Sequence, residues 1–298
     1  MLVIMATMAL SVLIHATQPT SPRRQVSWYT ALADKTGPAQ VADSFIASTG
    51  YLACCNQIMI GQNGSLSSAS VAALAQQVSL GRGKPVVHTV RVADGMQWLN
   101  TSSAANANAT LRGLADLVEQ SGAVGLMVDF EPSGWKTWGR NKTRLVAQAY
   151  ASWASSLADE LHSRSNSNFT LGLDLAGDDG GSPIDLFGIF ASEASTVDHL
   201  FLMGTYHGKD PTYARSLVSR ALNAGIPPRQ LSVGLGSTAE DGNNVYDWNK
   251  TSLALFVEWV EEQGVTRLEV WRSDLDANVS VCCHTEPWFV NTLAEWLR

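Results

Sequence analysis

Residues 125–175 decide the fold, and their sequence is GLMVDFEPSGWKTWGRNKTRLVAQAYASWASSLADELHSRSNSNFTLGLDL. An apolar run at 125–129 is followed by a stretch at 143–163 whose apolar residues have the 3.6-residue period of a helix, and then by a second apolar run at 170–175. A strand, a helix and a strand in this order predict two parallel strands joined by a right-handed crossover.

The same alternation continues along the rest of the chain. We predict eight strands, at residues 26–30, 57–61, 85–90, 125–129, 170–175, 199–203, 230–235 and 267–271. The clearest helices are predicted at residues 111–120, 143–163, 213–224 and 253–263. Eight such units in about 275 residues match the size of a (β/α)8 TIM barrel. An open doubly wound sheet, which more often has fewer strands, is the alternative.

The composition is that of a globular protein with a large core. Of the 298 residues, 45% are hydrophobic and 16% are charged. The net charge of -7 lacks the basic surplus that binds a phosphate backbone, which argues against nucleic acid as a partner. Because no linker, repeat or change of composition interrupts residues 25–298, we interpret them as one domain.

The first 16 residues are almost entirely apolar and give way to a polar stretch at 17–24. This pattern predicts a secretory signal peptide over residues 1–17, with a buried first helix or an uncleaved anchor as alternatives. We therefore expect a secreted or extracellular protein, or one in a lysosome-like lumen, with no membrane span in the mature chain. Seven Asn-x-Ser/Thr triplets favour the same compartment. They begin at Asn63, Asn100, Asn108, Asn141, Asn168, Asn249 and Asn278.

The four cysteines form two adjacent pairs, Cys54 with Cys55 and Cys282 with Cys283. An even number of cysteines in an oxidising lumen predicts disulfides, and three pairings are possible, one of them with two vicinal bridges. A zinc site is the competing interpretation, but adjacent cysteines lack the usual gap of two to four residues between ligands. We predict no metal site.

The run at 125–129 ends in two carboxylates, Asp129 and Glu131, which share one face of an extended strand with their Cα atoms about 6 to 7 Å apart. In a TIM barrel the active site lies at the carboxyl ends of the strands. Two acids close together among apolar neighbours repel each other, so one of them is expected to stay protonated as a general acid. Cleavage of a glycosidic bond needs such an acid for the leaving oxygen.

Four segments in the same order resemble glycoside hydrolase family 18, the chitinases and their relatives. The sequence Gly-Leu-Met-Val-Asp-Phe-Glu-Pro at 125–132 resembles the family's fourth-strand signature, Asp-Gly-x-Asp-x-Asp-x-Glu. Residues 198–206 are similar to its sixth strand, 225–236 to its helix and seventh strand, and 270–276 to the end of its eighth strand. The closest similarity is to lysosomal chitobiase-like members.

The resemblance assigns roles to individual residues. Glu131 falls on the proton donor, and Asp129 falls on the aspartate that orients the 2-acetamido group of the substrate. Tyr206 would bind the same acetamido group, and Trp271 would form the floor under the sugar. The acetamido carbonyl then attacks the anomeric carbon itself, so neither an enzyme nucleophile nor a cofactor is implied.

The sequence also departs from the family. Val124 and Met127 occupy the positions of the first two signature aspartates, so the acid next to Asp129 is missing. His207 stands where an aspartate is usual, and Met203, a further candidate for substrate binding, lies one residue too far from Tyr206. These departures predict weak, altered or lost activity.

Other residues could complete the site. Glu269 shares a face of its strand with Trp271, and Asp174 lies near the end of the fifth strand, so either could supply a second interior carboxylate. A two-carboxylate mechanism would follow if Glu269 faced Glu131. Trp135 and Trp138 are expected to line sugar subsites, with surface helix anchors as the alternative. Asp178 to Gly181 form a predicted loop, with a loose calcium site as a remote alternative.

Many chitinases of this family carry a folded insertion between strands seven and eight. Here only residues 237–266 are available, so we predict a barrel without that insertion and a shallow, open cleft. The expected function is a secreted glycosidase acting on β-linked N-acetylglucosamine in chitin-type oligosaccharides or N-glycan cores. A catalytically inactive carbohydrate-binding protein and a barrel without sugar chemistry are the alternatives. The sequence does not predict the oligomeric state.

Overall fold

A computed structural model describes residues 23–30, 47–61, 64–92, 104–130, 138–164, 168–176, 186–204, 211–236, 248–271 and 287–298, with the side chains of 30, 54–56, 104–107 and 176 excepted. The following description refers to these residues.

Eight parallel strands form a closed barrel. The strands are β1 (Gln25–Thr30), β2 (Gly50–Ile60), β4 (Val86–Val92), β5 (Gly125–Phe130), β6 (Thr170–Ala176), β7 (His199–Met203), β8 (Leu231–Gly236) and β9 (Arg267–Trp271). Each strand pairs in parallel with the next, and β1 pairs with both β2 and β9, which closes the sheet. The short strand β3 (Leu66–Ser68) is antiparallel to β2. The predicted TIM barrel is therefore confirmed.

Helices connect the strands on the outside of the barrel. They are α1 (Val71–Leu80), α2 (Ala104–Ser121), α3 (Arg140–His162), α4 (Phe187–Glu193), α5 (Thr212–Asn223), α6 (Lys250–Glu262) and α7 (Pro287–Trp296), with a 3-10 turn at Pro228–Gln230. Helix α6 begins with a capping box, in which the side chain of Asn249 accepts from the backbone of Ser252 and the side chain of Ser252 accepts from the backbone of Asn249. None of the helices in the described residues is long and apolar enough to cross a membrane.

The strands have two different faces. Their outer residues, such as Leu126, Val128 and Leu173, are fully buried in one continuous apolar core with the helices. Burying a side chain of this size stabilises a fold by about 1.5–3 kcal/mol. The inner face carries a separate, smaller apolar cluster of Tyr29, Leu52, Met127 and Phe201. Polar inner residues surround this small cluster, and they form the candidate site.

Seven strands lie within two residues of their predicted bounds, helices α3 and α6 begin three residues early, and strand β2 and helix α2 differ most. Strand β2 begins at Gly50 rather than at residue 57, and its pairing with β4 shifts between Ala53 and Ile58. This irregularity interrupts the period-2 pattern on which the prediction rests. Helix α2 begins at Ala104 rather than at residue 111, because its first turns consist of small and polar residues, alanine, asparagine and threonine, which lack the apolar period of a helix.

The connection from β8 to β9 consists of residues 237–266, and its described part is the helix α6. A barrel without an inserted domain at this position agrees with the prediction. Cys54 and Cys55 belong to β2, but their side chains are not described, and Cys282 and Cys283 lie outside the described ranges, as do residues 1–17. The disulfide pairing and the signal peptide stay predictions.

Candidate active site

The inner face of the barrel holds a set of ionisable side chains on six of its strands. Asp129 lies two residues after Met127 on β5, so both side chains point inward. Asp174 of β6 is in register with Asp129 on one side and with Phe201 of β7 on the other. The predicted inward orientation of Asp174 is therefore observed, and its side chain is 3% exposed.

Tyr29 of β1 is bound to Asp174 across the barrel. Its hydroxyl donates a hydrogen bond of 2.8 Å to Oδ1 of Asp174. Burial raises the pKa of Tyr29 well above its ordinary value, and the charges of Asp174 and Glu269, with a smaller contribution from Asp129, raise it further. Tyr29 is therefore a neutral donor at physiological pH, and three carboxylates from three different strands act on its hydroxyl.

Asp129 is the next-to-last residue of β5, at the carboxyl end of the barrel. Its side chain is half-buried, and its Oδ1 atom is covered completely. Besides Asp174, its register partner is Arg91 of β4, whose side chain is exposed. Asp129 therefore lies at the boundary between the buried carboxylate and the open end of the barrel.

Aromatic and apolar side chains form a wall at the same end. The ring of Tyr29 lies 5.2 Å from that of Trp271 and 5.7 Å from that of Phe201, measured between centroids. Met203 and Trp271 are half-buried and pack against the small inner cluster. Such a wall offers apolar area to the face of a sugar ring, while the neighbouring carboxylates offer hydrogen-bond acceptors.

A second polar group lies deeper in the barrel. Glu269 is 1% exposed, and its Oε1 atom lies 3.3 Å from Nε2 of His199. Burial lowers the pKa of His199, and the charge of Arg267 lowers it further against the opposing effect of Glu269. The depth of Glu269 favours a structural role, and its contact with substrate stays a prediction.

Three of the predicted site residues, Glu131, Tyr206 and Trp135, are not among the described residues. The distance from Glu131 to Glu269, on which the two-carboxylate hypothesis depends, therefore stays open. Trp138 is half-buried against the outer core, and the ammonium group of Lys142 lies 4.5 Å from its ring centroid. Its role in a sugar subsite stays a prediction.

Two residues of the site, Tyr29 and Arg91, were not predicted. Both lie near the carboxyl ends of their strands, which is the signal that could have identified them.

The described part of the chain contains no group of three or more His, Cys, Asp or Glu side chains that could hold a metal ion.

Among the predicted glycosylation sites, Asn108, Asn141, Asn168 and Asn249 are exposed on the outside of the barrel. The other three lie at positions that the structure does not describe. Glycosylation at all seven stays a prediction.

Solved structures with the same fold include several chitinases. A chitinase from Chromobacterium violaceum has a TM-score of 0.64 at 14% identity, over 92% of this chain and 99% of its own. One from Bacteroides thetaiotaomicron has a TM-score of 0.68 at 9% identity, over 93% and 97%. A family 18 chitinase from the chitin utilization locus of Flavobacterium johnsoniae has a TM-score of 0.61 at 13% identity, over 92% and 94%.

Sequence comparisons give no such relationship. No protein-family model matches the chain, and no curated protein matches it in sequence. The chain therefore shares the barrel fold of chitinases of glycoside hydrolase family 18, at identities that establish the fold alone.

Proposed function

We propose that the protein is a glycoside hydrolase that cleaves β-linked N-acetylglucosamine oligosaccharides of chitin or of N-glycan cores. The observation that carries the proposal is the position of Asp129 at the carboxyl end of β5, inside the barrel, two residues before Glu131. The chitinase fold and the aromatic wall around Trp271 support it. An apolar wall with carboxylates beside it suits a ring that has both a flat face and polar edges.

In the proposed reaction Glu131 protonates the glycosidic oxygen as the bond to the leaving sugar breaks. The acetamido carbonyl oxygen of the substrate attacks the anomeric carbon and forms an oxazolinium-like intermediate. Asp129 accepts a hydrogen bond from the acetamido N–H and stabilises the positive charge. Glu131, now a carboxylate, then takes a proton from water as that water opens the intermediate. Two displacements at one carbon retain the configuration of the sugar.

The substrate has access from the carboxyl end of the barrel. Trp271 and Met203 are half-buried there, so they have exposed area that a sugar can cover. The short connection between β8 and β9 places no domain over this side. The open cleft that the sequence predicts would accommodate short oligosaccharides as well as a polymer.

We also propose that the protein works outside the cell or in a lysosome-like lumen. The apolar segment at residues 1–16 and the seven glycosylation triplets support this location. The exposure of all four described triplets is compatible with glycans on the folded barrel. Loss of mass after enzymatic removal of N-glycans from the secreted protein would test it.

Met127 favours a second candidate function, that of a carbohydrate-binding protein without catalysis. It occupies the position of a signature aspartate and is completely buried in the small inner cluster. No carboxylate can act from that position. The binding hypothesis keeps Trp271 and the carboxylates as the sugar-binding surface.

The test is hydrolysis of fluorogenic chitobiose and chitotriose glycosides by the purified protein and by Glu131→Gln. Removing a general acid typically costs 10²–10⁴-fold in rate, so we expect kcat to fall by about 10³-fold in the variant. Glu258→Gln is the matched control, because Glu258 is exposed on α6 on the outside of the barrel. Its kcat is expected to equal that of the wild type.

Calorimetric titration with the same sugars separates the remaining cases. Binding without turnover would support the carbohydrate-binding function. Turnover that persists in Glu131→Gln would move the acid to another residue. The absence of both binding and turnover would contradict both proposed functions.

A further inference from the structure

The proposed mechanism does not use Asp174, a buried carboxylate near the carboxyl end of the barrel. Its backbone lies beside that of Asp129, because the two residues are register partners on neighbouring parallel strands. Partners of this kind have their Cα atoms about 5 Å apart and point to the same face of the sheet. The two carboxyl groups are therefore neighbours.

The environment of Asp174 suits a group that holds a proton with a second carboxyl. Two carboxyl groups at one buried site do not both ionise readily, and they titrate as a pair. Asp174 is 3% exposed, so water screens its charge poorly. Tyr29 donates to Oδ1 of Asp174, which fixes the orientation of that carboxyl, leaves its other oxygen for the proton, and stabilises the single negative charge of a pair that holds one proton.

We propose that Asp174 shares one proton with Asp129 and so replaces the acid that is missing at the position of Met127. The inference rests on the proposed function. In the enzyme without substrate, the proton lies between Asp174 and Asp129. When Asp129 turns toward the acetamido group, the proton stays on Asp174 and Asp129 carries the negative charge. No bond other than the O–H bond changes, and no further reactant is needed.

Other ionisable groups face this pair from the surrounding strands. They are Tyr29 of β1, Arg91 of β4, His199 of β7, and Arg267 and Glu269 of β9. From the outer side of the sheet, Tyr150 of helix α3 also interacts with the charges of Asp174 and Asp129. Glu269 and His199 lie deeper and contact each other, so Tyr29 and Arg91 are the groups at the level of the pair. Variants of Tyr29 and Asp174 therefore test the pair most directly.

Two substitutions are expected to shift the titration in opposite directions. Asp174→Asn keeps an acceptor for the hydroxyl of Tyr29 but removes the like charge, so the carboxyl of Asp129 ionises more easily. The acidic limb of the plot of kcat/KM against pH is therefore expected to move to lower pH by about one unit. Tyr29→Phe removes a donor to the charged form, so the same limb moves to higher pH. Asp174→Asn is also expected to lower kcat by about tenfold with KM within threefold.

Matched controls separate this role from a structural one. Asp198→Asn makes the same chemical change at the other end of the barrel, where Asp198 accepts from the backbone of Leu171 at 2.7 Å. Tyr51→Phe removes the hydroxyl of another fully buried tyrosine, whose side chain belongs to the outer core. Neither control is expected to move the acidic limb.

A second readout does not depend on activity. In the protein labelled with ¹³C at the aspartate carboxyl carbons, NMR titration of Asp129 and Asp174 is expected to give two coupled steps, and one of them is expected to disappear in Asp174→Asn. Coupled steps without turnover of any glycoside would overturn the proposed function and leave the shared proton standing. Independent single steps, or an unmoved acidic limb in both variants, would overturn the shared proton itself.

Discussion

The inner and outer faces of the barrel differ in what they bury. The outer face of the strands is apolar almost throughout and packs against the helices in one large core. The inner face surrounds a four-residue apolar cluster with Asp129, Asp174, His199 and Glu269. Neighbouring residues of one strand therefore serve different purposes, with stability on the outer side and chemistry on the inner side.

Two tyrosines show this difference directly. Tyr29 and Tyr150 are both completely buried, and burial raises the pKa of each well above its ordinary value. The hydroxyl of Tyr29 donates to a carboxylate at 2.8 Å, whereas that of Tyr150 lies 3.5 Å from the backbone oxygen of Val128. Equal burial thus accompanies a strong charged hydrogen bond on the inner face and only a weak neutral one on the outer face.

The largest effect is expected from Leu173→Ala, next to Asp174 on β6. Leu173 is completely buried in the outer core, and the loss of a leucine at such a site costs about 4 kcal/mol in free energy of unfolding. Urea denaturation measures this cost. Because the side chain points away from the site, kcat of the folded variant is expected to stay within twofold of the wild type. A tenfold loss of kcat in the fully folded variant would contradict the claim that the outer face serves stability alone.

A smaller effect is expected from acid. Burial lowers the pKa of His88 on the outer face to about 4. Since the unfolded chain binds a proton there at about pH 6.5, the free energy of unfolding falls by about 3 kcal/mol as the pH drops from about 6.5 to about 4.

Nε2 of His88 lies 3.1 Å from Oγ of Ser121. His88→Gln is expected to remove most of this dependence, since glutamine has no proton to gain and can still form a hydrogen bond with Ser121. Denaturation of both proteins at several pH values in this window measures it. An unchanged slope in the variant would assign the acid sensitivity to other groups, among which His199 of the inner face has a pKa lowered in the same direction.

The smallest of the three effects is expected from His199→Ala. The change leaves the buried Glu269 without its hydrogen-bonding partner, which costs about 2 kcal/mol in free energy of unfolding. His162→Ala is the matched control, because the contact of His162 with Asp198 is about one-third exposed and contacts of this kind contribute less than about 1 kcal/mol. Equal losses in free energy of unfolding in the two variants would show that the buried contact of His199 with Glu269 stabilises the fold no more than an exposed one.

The outer face explains how much of the fold could be predicted. Runs such as Leu171, Leu173 and Leu175 mark a buried strand, and the helices between them carry their own apolar period. The starts of strand β2 and helix α2 were not predicted correctly from these patterns. The strand contains an irregular pairing, and the helix begins with alanines and asparagines that have no helical apolar period.

The inner face was less predictable. Asp129, Asp174 and Glu269 could be placed inside from the alternation within their own strands. Tyr29 could not be paired with Asp174, because the two residues are 145 positions apart in the chain and meet only when the barrel closes. The hydrogen bond across the barrel is a product of closure, and no local pattern encodes it.

The stereochemistry of hydrolysis tests the central claim most directly. The measurement is a proton NMR time course of the first product released from an N-acetylglucosamine oligomer, recorded before the anomers equilibrate. Substrate-assisted hydrolysis through Glu131 predicts that the β-anomer appears first. Initial release of the α-anomer would require direct attack by water and would contradict the mechanism.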